Sequence, residues 1–169
     1  ADDILRDSRW ANGIDDDGNG YVDDLFGWDF YSNDNRPFES YDNTGTDANP
    51  SDSYHGTHVS GTIGALANGT GVVGVVWDVQ IMPLRFLGPA NSGGLTSAAI
   101  EAIYYYTAMG QSHPGLNFVG TNNSWGGTVA SALLSSAIQT AGNNGHLFFA
   151  AAGNNSSNNN AVPSSPSGY

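Results

Sequence analysis

Cysteine is absent from this 169-residue sequence, so no disulfide framework, thiolate metal site or thiol nucleophile can be built from it. Basic residues are scarce: 4 Lys and Arg stand against 16 Asp and Glu, a formal net charge of −12. Phosphate recognition needs clustered Lys and Arg, so neither nucleic acid nor an anionic membrane is an expected partner. No apolar run reaches the ~18 residues needed to span a bilayer. No secretory signal is visible, and Ala1 rather than Met stands first. We therefore expect the chain to start inside a longer protein or after processing. The excess acid has two readings, plain solubility or cation binding.

What is present suits one globular domain. Hydrophobic residues make up 39% of the chain, too many for a wholly disordered one, and apolar stretches follow one another from Val72 onward. Residues 1–53 are acidic and rich in Asp, Asn and Gly, and read as loops around one short strand, Leu25 to Tyr31. Residues 54–155 form the expected α/β core. His55 to Leu66 has Val59, Thr62, Ile63 and Leu66 at helical spacing among small residues. Gly71 to Val76 and Gln80 to Phe86 read as a strand pair, with Pro83 arguing against a fully paired central position. Thr96 to Met109 predicts a helix capped by Thr96 or Ser97, with Ile100, Ile103, Tyr104 and Thr107 on one face. Asn117 to Ser124 predicts a strand. Val129 to Thr140 predicts a helix with Leu133, Leu134, Ala137 and Ile138 inward and Gly142 just past its end. His146 to Ala152 reads as a buried strand, and residues 156–169 as a polar loop or linker. Strands alternating with helices imply a mostly parallel sheet flanked by helices, an α/β three-layer arrangement. In such sheets ligands collect at the carboxyl ends of the strands, where Ser124 and Asn154 fall.

Three segments carry chemistry. In His55-Gly56-Thr57-His58-Val59-Ser60-Gly61 a histidine opens a helix whose small residues permit close packing. Such an imidazole is either a structural group or a general base. Asn122-Asn123-Ser124-Trp125-Gly126-Gly127 follows a strand, and its glycines leave room for another backbone. Ala150-Ala151-Ala152-Gly153-Asn154 ends a small-residue strand in an amide, which serves as a turn or as a donor to a developing oxyanion.

Together these segments resemble the subtilisin-like serine proteases, the subtilases. HGTHVSGTIGA resembles their catalytic-histidine motif, NNSWGG their substrate-binding strand and AAAGN their oxyanion-hole motif, in the family's order. GVVGVVWDVQIMPLRFL resembles the strands after the histidine helix. The resemblance implies His55 as catalytic base, His58 as a structural neighbour and Asn154 as oxyanion donor. It implies Ser92, Gly93 and Gly94 on one side of a bound polypeptide substrate, with Ser124, Trp125 and Gly126 on the other. Neither the family's aspartate motif nor its serine motif occurs here, and Asp29 in GWDF matches a later strand. The expectation is an internal fragment, truncated at both ends and inactive alone, with exposed strand edges and apolar surface. The resemblance also implies extracellular or cell-surface placement and leaves room for a propeptide partner in the full-length protein.

The acidic segment adds a metal reading. Asp15, Asp17 and Asn19 match positions 1, 3 and 5 of a calcium loop. Gly20 matches the glycine at 6, Tyr21 offers a carbonyl at 7, and Asp23 and Asp24 supply carboxylates near the end. Phe26 stands where the closing Glu of an EF-hand would be. Hard oxygen donors without thiolate favour Ca²⁺ over Zn²⁺, and related subtilases hold calcium in such insertions. Three other readings stay in play: a non-catalytic calcium- or peptide-binding module, an esterase with Ser124 as nucleophile, and a metallohydrolase using His55 and His58. Asn122 occupies the place where the esterase elbow needs Gly, and the metallohydrolase lacks a third ligand.

Overall fold

A computed structural model describes residues 12–37, 54–88, 93–127 and 130–169. The chain divides into two compact units, Ala1–Gly94 and Leu95–Tyr169.

In the first unit β1 (Trp28–Asp29) pairs in parallel with β2 (Leu84–Arg85), Trp28 opposite Leu84 and Asp29 opposite Arg85. β1 falls inside the predicted strand and is shorter because the chain turns back at once. Asp29 and Asp34 exchange backbone hydrogen bonds of 2.9 and 3.1 Å. β2 begins directly after Pro83, which has no N–H to give to a ladder. Gly27 has φ +114°, and a Cβ there would lie 2.1 Å from the Pro83 carbonyl oxygen, so only glycine fits. Buried Trp28 and Phe30 meet the Tyr21 ring in T-shaped contacts at centroid distances of 5.0 and 5.8 Å, which anchors the acidic loop to β1. Beside them Asp29 is 1% exposed, paired with Arg85, and accepts from the Tyr31 and Ser32 N–H groups.

α1 (His55–Gly64) follows the predicted helix. The expected strand at Gly71 to Val76 is not formed. Instead the N–H groups of Gly74, Val75 and Val76 donate to the carbonyls of Ala65, Thr62 and Ile63. A helix end leaves its last carbonyls without intrahelical partners, and this segment satisfies them, so its donors are not available to a ladder. Close contact requires Gly74: a Cβ there would meet Ala65 N at 2.4 Å.

The second unit holds α2 (Thr96–Ser112), a 3₁₀ turn (Pro114–Leu116), β3 (Gly120–Asn123), α3 (Ala132–Asn143) and β4 (Leu147–Ala150). The α2 cap is Leu95, in extended conformation and without a side-chain hydrogen bond, so neither Thr96 nor Ser97 caps the helix. Its buried band is Ala98, Ala99, Ala102, Ile103, Tyr105, Tyr106 and Thr107, and Tyr104 is turned outward. Ile103 and Thr107 of the expected face are buried and Ile100 packs on the core, while the alanines widen the packed band on the side away from Tyr104. α3 is capped by Ser131, whose Oγ accepts from the Leu134 N–H at 3.3 Å. Gly142 lies inside the helix rather than past it, and the reversal is made at Gly145, φ +86°. Leu134, Ala137 and Ala141 pack with Ile103, while Leu133 is exposed.

β3 and β4 are parallel, in register from Gly120–Leu147 to Asn123–Ala150. The α/β architecture with parallel strand pairs therefore stands. β4 is not buried as expected: Phe148 packs on the core beside α3, while Leu147 and Phe149 alternate outward and are exposed. Exposed apolar surface is extensive, from Val72 and Val75 to Trp77 in the first unit and Leu133 to Phe149 in the second. The tail is a loop tied in place. Ser165 and Gly127 exchange backbone hydrogen bonds, and the Tyr169 hydroxyl accepts from Ser131 N and donates to Ser131 O.

Candidate active site

His55 is the first residue of α1 and is exposed, with no side-chain hydrogen bond to a described residue. A helix N-terminus leaves the imidazole clear of the next turn, and Gly56 adds no bulk: a Cβ there would meet nothing within 4 Å. Close packing enters at the other end of α1, where a Cβ on Gly64 would approach Val79 Cγ1 at 2.7 Å. His58 faces a different environment. With Thr57, Gly61, Thr62, Val72, Val73 and Val75 it lines an open, largely apolar hollow of about 490 Å³.

Gly93 and Gly94 belong to the first unit, and Ser92 lies outside the described residues. Gly93 adopts φ +63° and its carbonyl accepts from the Gly88 N–H at 2.8 Å. A Cβ on Gly94 would stand 2.3 Å from the Phe86 carbonyl oxygen. Both glycines are thus demanded by the fold-back of this segment on residues 86–88.

In the second unit the parallel pairing of β3 and β4 sends Ser124-Trp125-Gly126 and Ala151-Ala152-Gly153-Asn154 out of the same end. Ala151 N still donates to Asn123 O at 3.0 Å, so the two segments leave together. Buried Asn123 organises this end. Its Oδ1 accepts from Trp125 Nε1 at 3.1 Å, and its Nδ2 donates to Thr121 Oγ1 at 2.7 Å. Asn122 Nδ2 donates to Ser124 Oγ at 2.9 Å. Gly153, φ +94°, turns the chain so that Asn154 is exposed with no side-chain hydrogen bond to a described residue. Beside them Gly126 lies against the tail, where a Cβ would stand 3.3 Å from Ser165 O. The positioning role of Asn123 and the tail contact at Gly127 were not read from the sequence. The paired asparagines at the end of the predicted strand, Asn122-Asn123, are the one sequence signal that could have suggested the first.

The acidic loop is organised by its own backbone. Asp15 accepts N–H bonds from Gly20 at 2.8 Å, Gly18 at 2.8 Å and Asn19 at 3.1 Å. These donors, Gly20 foremost, hold its carboxyl below the usual aspartate range. Asn19 Nδ2 donates to Asp17 at 3.2 Å and to Asp24 at 2.8 Å, so two carboxylates gather around one polar atom. Asp23 is turned elsewhere and receives the N–H groups of Asn12 and Gly13. Tyr21 lies on the Trp28 and Phe30 rings, and its N–H donates to Asn19 Oδ1. Among the described residues no three His, Asp or Glu side chains stand together as a ready metal chelate. Nor is any described helix long and apolar enough to cross a membrane.

Comparison with known proteins places these segments in context. A family model described as "Subtilase family" matches residues 17–169. "Subtilisin-like protease 1" of Plasmodium falciparum is 37% identical over 92 residues, covering 54% of this chain and 12% of that protein. "Subtilisin DY" of Bacillus licheniformis is 37% identical over 104 residues, covering 62% of this chain and 34% of that protein. "Subtilisin Savinase" of Lederbergia lenta is 34% identical over 93 residues, covering 52% of this chain and 29% of that protein. The chain thus matches about a third or less of the length of these curated relatives.

Proposed function

Since the chain belongs to the subtilase family, we propose that it is the central part of a serine endopeptidase that cleaves polypeptides through an acyl-enzyme. A serine from outside these residues attacks the scissile carbonyl. His55 accepts its proton and returns it to the leaving amine, and an aspartate, also from outside, orients the imidazole. The Asn154 amide donates to the oxyanion. Ser92-Gly93-Gly94 and Ser124-Trp125-Gly126 each offer groups to the substrate backbone, which is read mainly through its own N–H and C=O groups.

The observation that supports this reading best is the common exit of residues 124–126 and 151–154 from one end of the β3–β4 pair. A segment proposed to line the substrate and a proposed amide donor thus leave one strand pair together, which supports the acyl-transfer reading. The test uses the intact parent protein and a fluorogenic peptide. His55→Ala abolishes turnover and leaves peptide binding intact. Asn154→Ala lowers kcat by about 10²–10³, the range known for a subtilisin's own oxyanion-hole asparagine, with little change in KM. Full activity in either variant overturns the assignment. Peptide binding without turnover in the unaltered protein favours a non-catalytic module.

We further propose that the acidic loop holds a structural Ca²⁺, with Asp15, Asp17, Asn19 and Asp24 offering side-chain oxygens and Tyr21 its carbonyl. The all-oxygen donor set and the gathering of Asp17 and Asp24 around Asn19 support a hard cation. Calcium then raises the thermal midpoint, a chelator lowers it, and Asp17→Ala removes the difference. A midpoint indifferent to calcium overturns the site.

A further inference from the structure

Asn–Gly steps are the places where a chain can modify itself, because the glycine nitrogen, unhindered by a Cβ, can reach the asparagine side chain. The sequence has four: Asn12–Gly13, Asn19–Gly20, Asn68–Gly69 and Asn144–Gly145. We propose that Asn68 is a self-modifying site, converting through a cyclic succinimide to aspartate and isoaspartate, while the other three steps are slowed by the hydrogen bonds on their glycine N–H groups.

The argument is a comparison within one molecule. Asn12, Asn19 and Asn68 share one local geometry, with the side-chain Oδ1 accepting from the N–H two residues on, at 2.7, 2.8 and 3.1 Å. This turn curls each side chain over the following peptide and polarises its Cγ carbonyl. What differs is the nucleophile. Gly13 N donates to the Asp23 carboxylate at 3.1 and 3.0 Å, and Gly20 N donates to Asp15 Oδ2 at 2.8 Å. A carboxylate on an N–H disfavours the amide anion that must form, and the bond holds the nitrogen away from attack. At Asn144 the Gly145 N–H donates to Gly142 O at 3.0 Å. The Asn144 side chain is also fixed at both ends, accepting from Gln111 Nε2 and donating to Thr140 O. Gly69 N has no hydrogen-bond partner among the described residues, nor has Asn68 Nδ2. Both residues are exposed, and Gly69 at φ +79° has open space around it.

In the reaction, base removes the Gly69 N–H proton and the nitrogen forms a bond to Asn68 Cγ. The Cγ–Nδ2 bond breaks and the amide nitrogen leaves as ammonia, its proton supplied by water. Water then opens the imide at either carbonyl, giving aspartate or isoaspartate. One water is consumed and one ammonia released, and nothing is oxidised or reduced. The product adds a negative charge, and in the isoaspartate form a main-chain methylene, to the loop between α1 and Gly74. This inference stands apart from the protease reading.

The test is peptide mapping by mass spectrometry of the full chain, held folded by the criterion of circular dichroism in mildly alkaline buffer, with a guanidinium-unfolded sample beside it. In the folded chain Asn68 reacts about ten- to a hundredfold faster than Asn12 and Asn19, the factor set by releasing a hydrogen bond to a charged acceptor. In the unfolded chain the four rates converge. Asp23→Ala frees Gly13 and raises the Asn12 rate toward that of Asn68, whereas Asn68→Gln removes the fast conversion. Equal rates at the four steps of the folded chain, or Asn12 or Asn19 reacting ahead of Asn68, overturn the proposal. So does an Asn12 rate unmoved by Asp23→Ala.

Discussion

Replacing Asp29 by alanine tests what joins β1 to β2. The carboxylate is 2% exposed at the side chain, pairs with Arg85, whose side chain is 17% exposed, and also accepts from two backbone N–H groups in the turn after β1. Removing one member of a buried pair costs about 3–5 kcal/mol, because the other charge is left without compensation. Arg85 reaches some water and lies over the Tyr31 ring at 5.5 Å, which places the cost near the lower end, about 3 kcal/mol. Asp29→Asn keeps an acceptor for the turn and loses only the ion pair, so its cost is smaller. Adding Arg85→Met to Asp29→Asn removes the stranded charge and recovers part of the loss. The readout is hydrogen exchange at the Phe30 amide, which donates to the Arg85 carbonyl at 2.6 Å. At about 3 kcal/mol, exchange there accelerates about a hundredfold in Asp29→Ala. An acceleration under about threefold, below 1 kcal/mol, refutes the reasoning.

Gly74→Ala puts a Cβ 2.4 Å from Ala65 N and 2.7 Å from Gly64 N, both main-chain atoms that cannot swing aside. It lifts residues 74–76 off the end of α1 and destabilises the first unit by about 2–3 kcal/mol, measured as a shift in urea midpoint. Leu134→Ala, at a side chain 1% exposed among Ile103, Ala137 and Ala141, costs about 3 kcal/mol by the same assay. The Asp15 carboxyl is held below its ordinary range, so its contribution to the loop is present above the unfolded value. That contribution is lost as pH falls through the lower folded value. In an acid titration the Gly20 amide resonance therefore shifts below the pH at which free aspartate titrates. A midpoint at or above that pH counts against the bonding described for the loop.

Helices and strands with strong local signals were legible in the sequence. α1 and α2 lie within two or three residues of their expected bounds. β3 and β4 fall inside the predicted strands and pair in parallel, as the alternation of strand and helix implied. Gly71 to Val76 was misread because its valine-rich texture suits a strand, yet the carbonyls at the end of α1 took its N–H groups. The face of α2 was read correctly at Ile100, Ile103 and Thr107 and wrongly at Tyr104, because three consecutive tyrosines carry no period and the two that pack are Tyr105 and Tyr106. Among the residues proposed for the site, His55, Ser124, Trp125, Gly126 and Asn154 could be picked out by motif. The reason Gly94 must be glycine became apparent only with the Phe86 carbonyl beside it.

Composition and motif order by themselves determined the family, the α/β class, the residue types available for chemistry and the exclusion of thiol chemistry, because these follow from which side chains exist and in what order. Tertiary structure decided which of several equivalent groups is engaged. Asp24 rather than Asp23 joins Asp17 at Asn19, and three Asn–Gly steps are tied down while the fourth is not. A backbone N–H has one donor to give, and which acceptor receives it depends on partners brought close only when the chain has folded.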